Sequence, residues 1–206
     1  MPANYNNSAW FYDRLSRLVY GRAMINAQRF LLTFIPSGSK VLIVGGGTGL
    51  ILEEIAELHA ERLKITYVEV ASKMIAVAEK RKTGANAVAF INDAIENVRL
   101  ETDFDVVITS FLFDNFTQHN FELIFAHIHA ALKPGALWLI CDFQLTGKWW
   151  QRVLLKTMFL FFRLICNVEA SGLPATQKQF ESHGYTNTAR KTFYGDFIIS
   201  EVYSAV

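Results

Sequence analysis

Residues 41–49 read VLIVGGGTG, a run of branched apolar side chains that ends in glycines at 45, 46, 47 and 49. Val41 to Val44 suit a short central strand of a parallel sheet, buried on both faces. Glycine accepts positive φ and has no Cβ. A strand ending in Gly45, Gly46, Gly47 and Gly49 can therefore turn sharply into a helix and let a ligand press against the main chain. A nucleotide-like ligand is the first candidate, and an ordinary strand-to-helix turn is the alternative. Spacing narrows the ligand. The dinucleotide fingerprint needs a glycine where this chain has Leu50, and a phosphate-cradling loop needs Lys then Ser or Thr where it has Leu50 and Ile51.

The rest of the chain alternates in the way such a unit requires. Apolar residues at helical spacing over 10–34 give one or two leading helices, closed by Pro36, Ser37 and Gly38. After the glycine turn, Ile51, Ile55 and Leu58 mark a helix with Glu53, Glu54, Glu57 and Glu61 on its other positions. Strands follow over 64–70, 87–91, 105–110 and 136–143. A helix from Ser72 runs into Lys80, Arg81 and Lys82, which suit the negative end of a helix dipole. Phe121, Ile124, Phe125, Ile128 and Leu132 define a helix stopped by Lys133, Pro134 and Gly135. Thr176 and Gln179 form a capping-box pattern, with a helix ending at Gly184, and 188–193 and 197–203 form a hairpin. The fold expected is α/β: a doubly wound, seven-stranded, mostly parallel sheet with N-terminal helices and an antiparallel C-terminal hairpin. One domain of 206 residues is expected, made of leading helices (1–37), a cofactor-binding core (38–143), a helical lid or insert (144–175) and a closing helix and hairpin (176–206).

Composition excludes several partners. A net charge of +1 argues against nucleic acid, whose binders carry a strong basic excess. Cys141 and Cys166 sit in apolar segments without CxxC spacing, so they read as buried thiols in a reducing compartment, with no disulfide or zinc. The first residues lack the basic-then-apolar order of a signal peptide, and a cytoplasmic location is expected.

In an open α/β sheet the ligand binds beyond the carboxyl ends of the strands. Glu69 stands at the end of the second strand, where a carboxylate accepts both hydroxyls of a ribose. GxGxG after a hydrophobic strand, with Glu69, Met74 and Ala78 in EVASKMIAVA, resembles the first two motifs of the class I S-adenosylmethionine-dependent methyltransferases. Asn92, Asp93 and Ala94, the segment FDVVITSFLFDN (104–115) and LKPGALWLICDF (132–143) continue the resemblance, which covers about 38–143. It implies a Rossmann-like methyltransferase fold and S-adenosylmethionine as cofactor, held by Gly45, Gly46, Gly47, Gly49, Glu69, Val70, Met74, Asp93, Ala94, Ser110 and Phe111. Asp93 would take the adenine amino group, and Thr109, Ser110 and Phe111 would lie under the transferring methyl. The other duty for Asp93 is capping a short helix. Two positions depart from the family: its usual acid in the first motif is Ile43 here, and its frequent Ser is Ala71.

WFYDRLSRLVYG resembles the aromatic leading helices of the small-molecule, ubiquinone and menaquinone biosynthesis type, and implies that Tyr12 or Tyr20 closes over the cofactor, each being equally a core aromatic. The implied activity is methyl transfer to a small apolar or aromatic acceptor. A non-catalytic S-adenosylmethionine or nucleotide binder, or an NAD-type oxidoreductase on the same sheet, is the alternative. No motif marks a catalytic residue. His119 and Asp114 are the candidate bases, and no histidine reads as a metal ligand. The aromatic stretch 148–166 is too short and too charged to span a bilayer. It reads as the wall of an acceptor pocket, a membrane-surface contact, a dimer contact, or a helix packed on the sheet.

Overall fold

The structure, a computed structural model, describes residues 12–59, 62–166, 170 and 172–205. Among these residues, seven strands form one sheet: β1 (Lys40–Val44), β2 (Lys64–Val68), β3 (Ala87–Ile91), β4 (Phe104–Ser110), β5 (Leu132–Phe143), β6 (Tyr185–Phe193) and β7 (Ile198–Ala205). Their order across the sheet is β3-β2-β1-β4-β5-β7-β6. The chain starts at β1, winds outward to β3, then returns to β4 on the other side of β1. The order therefore reverses between β1 and β4, which is where such sheets open a ligand crevice. Pairing is parallel from β3 to β5, and β7 alone is antiparallel to its neighbours β5 and β6.

Among the described residues, seven α-helices cover the sheet: α1 (Tyr12–Tyr20), α2 (Ala23–Leu32), α3 (Leu50–Leu58), α4 (Ser72–Ala78), α5 (Gln118–His129), α6 (Trp149–Cys166) and α7 (Thr176–Ser182). Side chains of a strand alternate between faces, and β1 shows the result. Val41 and Ile43 join the apolar layer made by α2, α3 and α6, with Ala27, Leu31, Ile55, Leu155 and Phe159. Leu42 and Val44 join the layer under α5 and α7, with Phe121, Phe125, Ile128 and Phe180. Trp138 is wholly buried in this second layer, stacked on Phe125 at 4.6 Å, and its indole N–H donates to Thr109 Oγ1 at 2.9 Å. Burying an aromatic of this size without stranding its N–H is worth about 3–5 kcal/mol against alanine.

Three local expectations change. Leu132 to Gly135, expected as a helix stop and turn, belongs to β5, where the pairing jumps from Phe104↔Leu132 to Val106↔Leu137. The Lys-Pro-Gly segment is a bulge that lets α5 end at His129 and the chain enter the sheet without a separate loop. The capping box of α7 does not form: Thr176 lies inside the helix and Ala175 holds the cap position with no side-chain bond. The Ala175 N–H instead donates to Gln118 Oε1 of α5 at 2.9 Å, so a tertiary partner replaces the local one. Helix α4 ends at Ala78, before the three basic residues, and Arg81 points away to a separate task.

Candidate functional site

A cavity of about 500 Å³ opens beyond the carboxyl ends of β1, β2, β3 and β4 and under α1 and α2. Its size is in the range of small-molecule sites. The turn after β1 forms its floor. Gly49 has φ +78° and a Cβ there would lie 2.8 Å from the Ala78 backbone, so only glycine lets α3 begin against α4. Gly47 has φ +62° and nothing within 4 Å of where its Cβ would be; that space belongs to the cavity. Gly45 and Gly46 also line it, whereas Gly49 supports the turn from behind.

Glu69 follows β2 directly and is buried in the cavity wall, 6% exposed. Its Oε2 accepts the Gly47 N–H at 3.0 Å and its Oε1 accepts the Ala71 N–H at 2.8 Å. A carboxylate has about four lone-pair sites, so both oxygens retain capacity for a hydroxyl donor. Burial pushes its pKa above the usual glutamate value, and the backbone donors oppose that shift. The side-chain amide of Asn92 donates to the carbonyls of Glu69 (2.8 Å) and Val70 (3.0 Å) and fixes the strand end. Tyr67 Oη donates to the Gly47 carbonyl at 3.0 Å. Ile43 pairs with Tyr67 and Ile108 on the neighbouring strands and is 1% exposed, so the position of the family's acid is filled by core. The polar hold on the turn comes from Tyr67 and Glu69. Met74 and Val70 line the same wall.

Asp93 and Ala94 lie at the cavity rim. Asp93 Oδ1 accepts the Ala94 N–H at 2.7 Å and the Asn97 amide at 2.9 Å, organising the short 3₁₀ turn Ile95–Asn97. Ala94, not Asp93, holds the cap position of that turn and has no side-chain cap bond, and Asp93 Oδ2 stays open to a ligand.

At the end of β4, Ser110 and Phe111 line the cavity and Thr109 does not, because its hydroxyl is taken by Trp138. Ser110 Oγ is buried without a hydrogen-bond partner among the described residues. A buried polar atom left unpaired costs about 1–3 kcal/mol. Phe111 has φ +53°, a left-handed backbone for a bulky residue, and its N–H donates to the Cys141 carbonyl at 2.7 Å. Strain of this kind collects at ligand sites. Asn115, Thr117 and Asn120 supply neutral polar groups beyond it.

The two candidate bases are not placed in the cavity wall. His119 is exposed in the first turn of α5. Asp114 is buried behind the wall, where burial first and the nearby Asp142 second hold its carboxyl well above the usual range. Asp142, near the end of β5, is pushed up to about 7 by burial, against backbone hydrogen bonds from Phe143, Asp114 and Phe113. Both Asp114 and Tyr20 are therefore interior groups. Tyr20 packs on Phe143 and Tyr194, at 5.6 and 5.4 Å, and its hydroxyl donates to Met158 Sδ at 3.4 Å. The side chain of Tyr12 lies outside the described residues.

The roof comes from α1, α2 and the turn between them, through Asp13, Ser16, Arg17, Gly21, Met24 and Gln28. Asp13 Oδ2 pairs with Arg81 at 2.6 Å, Asp13 Oδ1 accepts from Thr48 Oγ1 at 2.5 Å, and Arg81 Nε donates to the Thr48 carbonyl at 3.0 Å. Tyr194 of the β6–β7 hairpin donates to the Val19 carbonyl at 2.8 Å. These contacts tie the leading helix to the glycine turn and to the C-terminal hairpin. No local pattern announces them, since Arg81 reads only as part of a basic run. Helix α6 contributes no residue to the cavity wall. Among the described residues, no group of three or more His, Cys, Asp or Glu side chains is arranged to hold a metal.

A β3-β2-β1-β4-β5-β7-β6 sheet with this glycine turn is the Rossmann-like architecture of class I methyltransferases. Residues 41–135 match the family model described as methyltransferase domain. A chain of the complex between the Haloferax volcanii Trm112 methyltransferase activator and a methyltransferase superposes with a TM-score of 0.71 at 11% identity, covering 100% of this chain and 99% of that one. A 1,6-didemethyltoxoflavin-N1-methyltransferase from Burkholderia thailandensis, with bound 1,6-didemethyltoxoflavin and S-adenosylhomocysteine, gives a TM-score of 0.67 at 15% identity, covering 95% of this chain and 84% of that one. An S-adenosylmethionine-dependent methyltransferase from Aquifex aeolicus gives 0.66 at 17% identity, covering 98% of each. No curated protein matches the sequence.

Proposed function

We propose that this protein transfers the methyl group of S-adenosylmethionine to a small acceptor held in the same cavity. The observation that carries the proposal is that one cavity gathers the open Gly47, the fixed carboxylate of Glu69, the rim Asp93 and the strand end at Ser110 and Phe111. Glu69 would accept the ribose hydroxyls, and Asp93 the adenine amino group through its free oxygen. The backbone of Ser110 and the ring of Phe111 would meet the methionine end. The cofactor would supply a methyl on a sulfonium, leaving as S-adenosylhomocysteine once an acceptor atom takes that methyl in line. The roof of α1 and α2 excludes water. Holding both reactants in near-attack geometry supplies roughly 7–11 kcal/mol of the barrier, so positioning is enough for an acceptor that is already nucleophilic.

Met24, Ile25, Phe111, Leu112 and Phe116 give the cavity much of its wall, which favours an apolar or aromatic acceptor. An NAD-type oxidoreductase is disfavoured by Leu50 at the third glycine position of the dinucleotide fingerprint. Calorimetric titration with S-adenosylmethionine and with NAD tests the proposal: binding of the first alone is expected, and binding of NAD alone overturns it. E69A should weaken sulfonium binding by about 1.5–3 kcal/mol, the cost of losing hydrogen bonds to a charged group. Because hydroxyls donate best to the ionised form and burial raises the Glu69 pKa, affinity should decline on acidification from a pH above the ordinary glutamate value of about 4.3.

A further inference from the structure

We infer that the outward face of α6 is a docking surface for anionic lipid, with the helix lying in the plane of the membrane interface. The helix buries Gln151, Leu155, Phe159 and Cys166 against the protein. Its opposite side exposes Trp149, Val153, Leu160 and Leu164, at 76, 55, 59 and 77%. Spacings of four, seven and four residues stack these side chains in one ribbon along the helix. Arg152, Lys156 and Arg163, each three residues after a member of that ribbon, form a second ribbon along its flank. The helix has no acidic residue, and none of the three cations forms an ion pair with the described residues.

An exposed apolar patch of this kind marks an interaction surface, and its chemistry names the partner. Apolar side chains that include tryptophan, beside long cationic stems, match an interface where acyl chains meet anionic headgroups. Among the described residues, no helix is long and apolar enough to cross a membrane, so the contact is in-plane. A second copy of the chain fits less well. A two-fold contact sets the same patch against itself. It would bring three cations against three, with no carboxylate on either helix to pair them. The wall of the cavity lacks α6, so the apolar ribbon is not explained by acceptor binding. Helix α1, which roofs the cavity, touches α6 through Tyr20 and Met158, and its Leu18 is 83% exposed.

The inference stands apart from methyl transfer, and vesicle binding tests it without reference to activity. The whole protein is sedimented with vesicles of phosphatidylcholine alone and of phosphatidylcholine mixed with phosphatidylglycerol. Selective binding to the mixed vesicles, weakened by salt, is expected. R152Q/K156Q/R163Q should lower that binding about a hundredfold, at about 1 kcal/mol per charge near an anionic surface. L160S/L164S should lower it too while leaving the melting temperature unchanged, because both leucines are exposed. Equal binding by the charge variant, or no binding of the wild-type protein, overturns the inference. A dimer seen by ultracentrifugation without lipid and lost in L160S/L164S also overturns it, and assigns the face to a second copy.

Discussion

The two ends of the cavity are built on different principles. At the β1–β3 end, recognition groups are fixed by backbone hydrogen bonds within short stretches of chain: Glu69 accepts from Gly47 and Ala71, and Asp93 from Ala94. At the β4–β5 end the wall is aromatic and amide side chains, one serine hydroxyl lacks a partner, and two carboxyls lie buried behind it. The first end suits an invariant ligand whose polar groups are met one by one. The second suits a ligand defined by shape, with chemistry left to position rather than to a base.

The sharpest break between the ends is in the glycine turn itself. G49A places a Cβ against the Ala78 backbone at φ +78° and should cost about 2–4 kcal/mol in urea unfolding, from backbone strain plus overpacking. G47A meets open space at φ +62°, so its cost should be nearer 1–2 kcal/mol while cofactor binding is lost, because the new methyl group enters the cavity. Equal effects on stability would remove the distinction between a supporting and a ligand-facing glycine.

D142N probes the other end. The folded pKa of Asp142, about 7, lies above its unfolded value of about 4, so the native state holds the extra proton across that window. Stability is full below the window and falls as pH rises through it. D142N should flatten this decline, by up to about 4 kcal/mol, in melts taken across pH. An unchanged pH profile would place the titration elsewhere.

The roof is expected to respond less. D13N removes a partly exposed ion pair with Arg81 and the bond from Thr48, and should weaken cofactor binding by about 1 kcal/mol at low salt and less at high salt. Smallest of all, H119A should leave kcat within error, since His119 is exposed and lies off the cavity wall. A large fall in kcat would return a base to the acceptor end.

How far each end is legible in the sequence follows the same division. VLIVGGGTG and EVASKMIAVA each place a strand, a turn and a helix start within about ten residues, so local spacing carries the geometry. The structure puts Gly45, Gly46, Gly47, Glu69, Val70, Met74, Asp93, Ala94, Ser110 and Phe111 around one cavity. Gly49 falls behind it, and Tyr20 and Asp114 fall in the interior. Neither Tyr20 nor Asp114 sits in a motif whose spacing marks which way it faces. Asp114 faces Asp142 because β5 pairs beside β4, and Thr109 serves Trp138 for the same reason.

By itself, the sequence determined the alternation of strands and helices, the glycine turn after the first strand and the carboxylate that ends the second, because hydrophobic periodicity and glycine conformation act over a few residues. Only the tertiary structure decided that Arg81 reaches Asp13 across 68 residues, that Tyr194 holds α1, and that Tyr67 holds the turn beside Ile43. It also turned α6 away from the cavity. Contacts at that separation depend on how the layers pack, and a side chain's partner there is set by the sheet order and not by its neighbours in the chain.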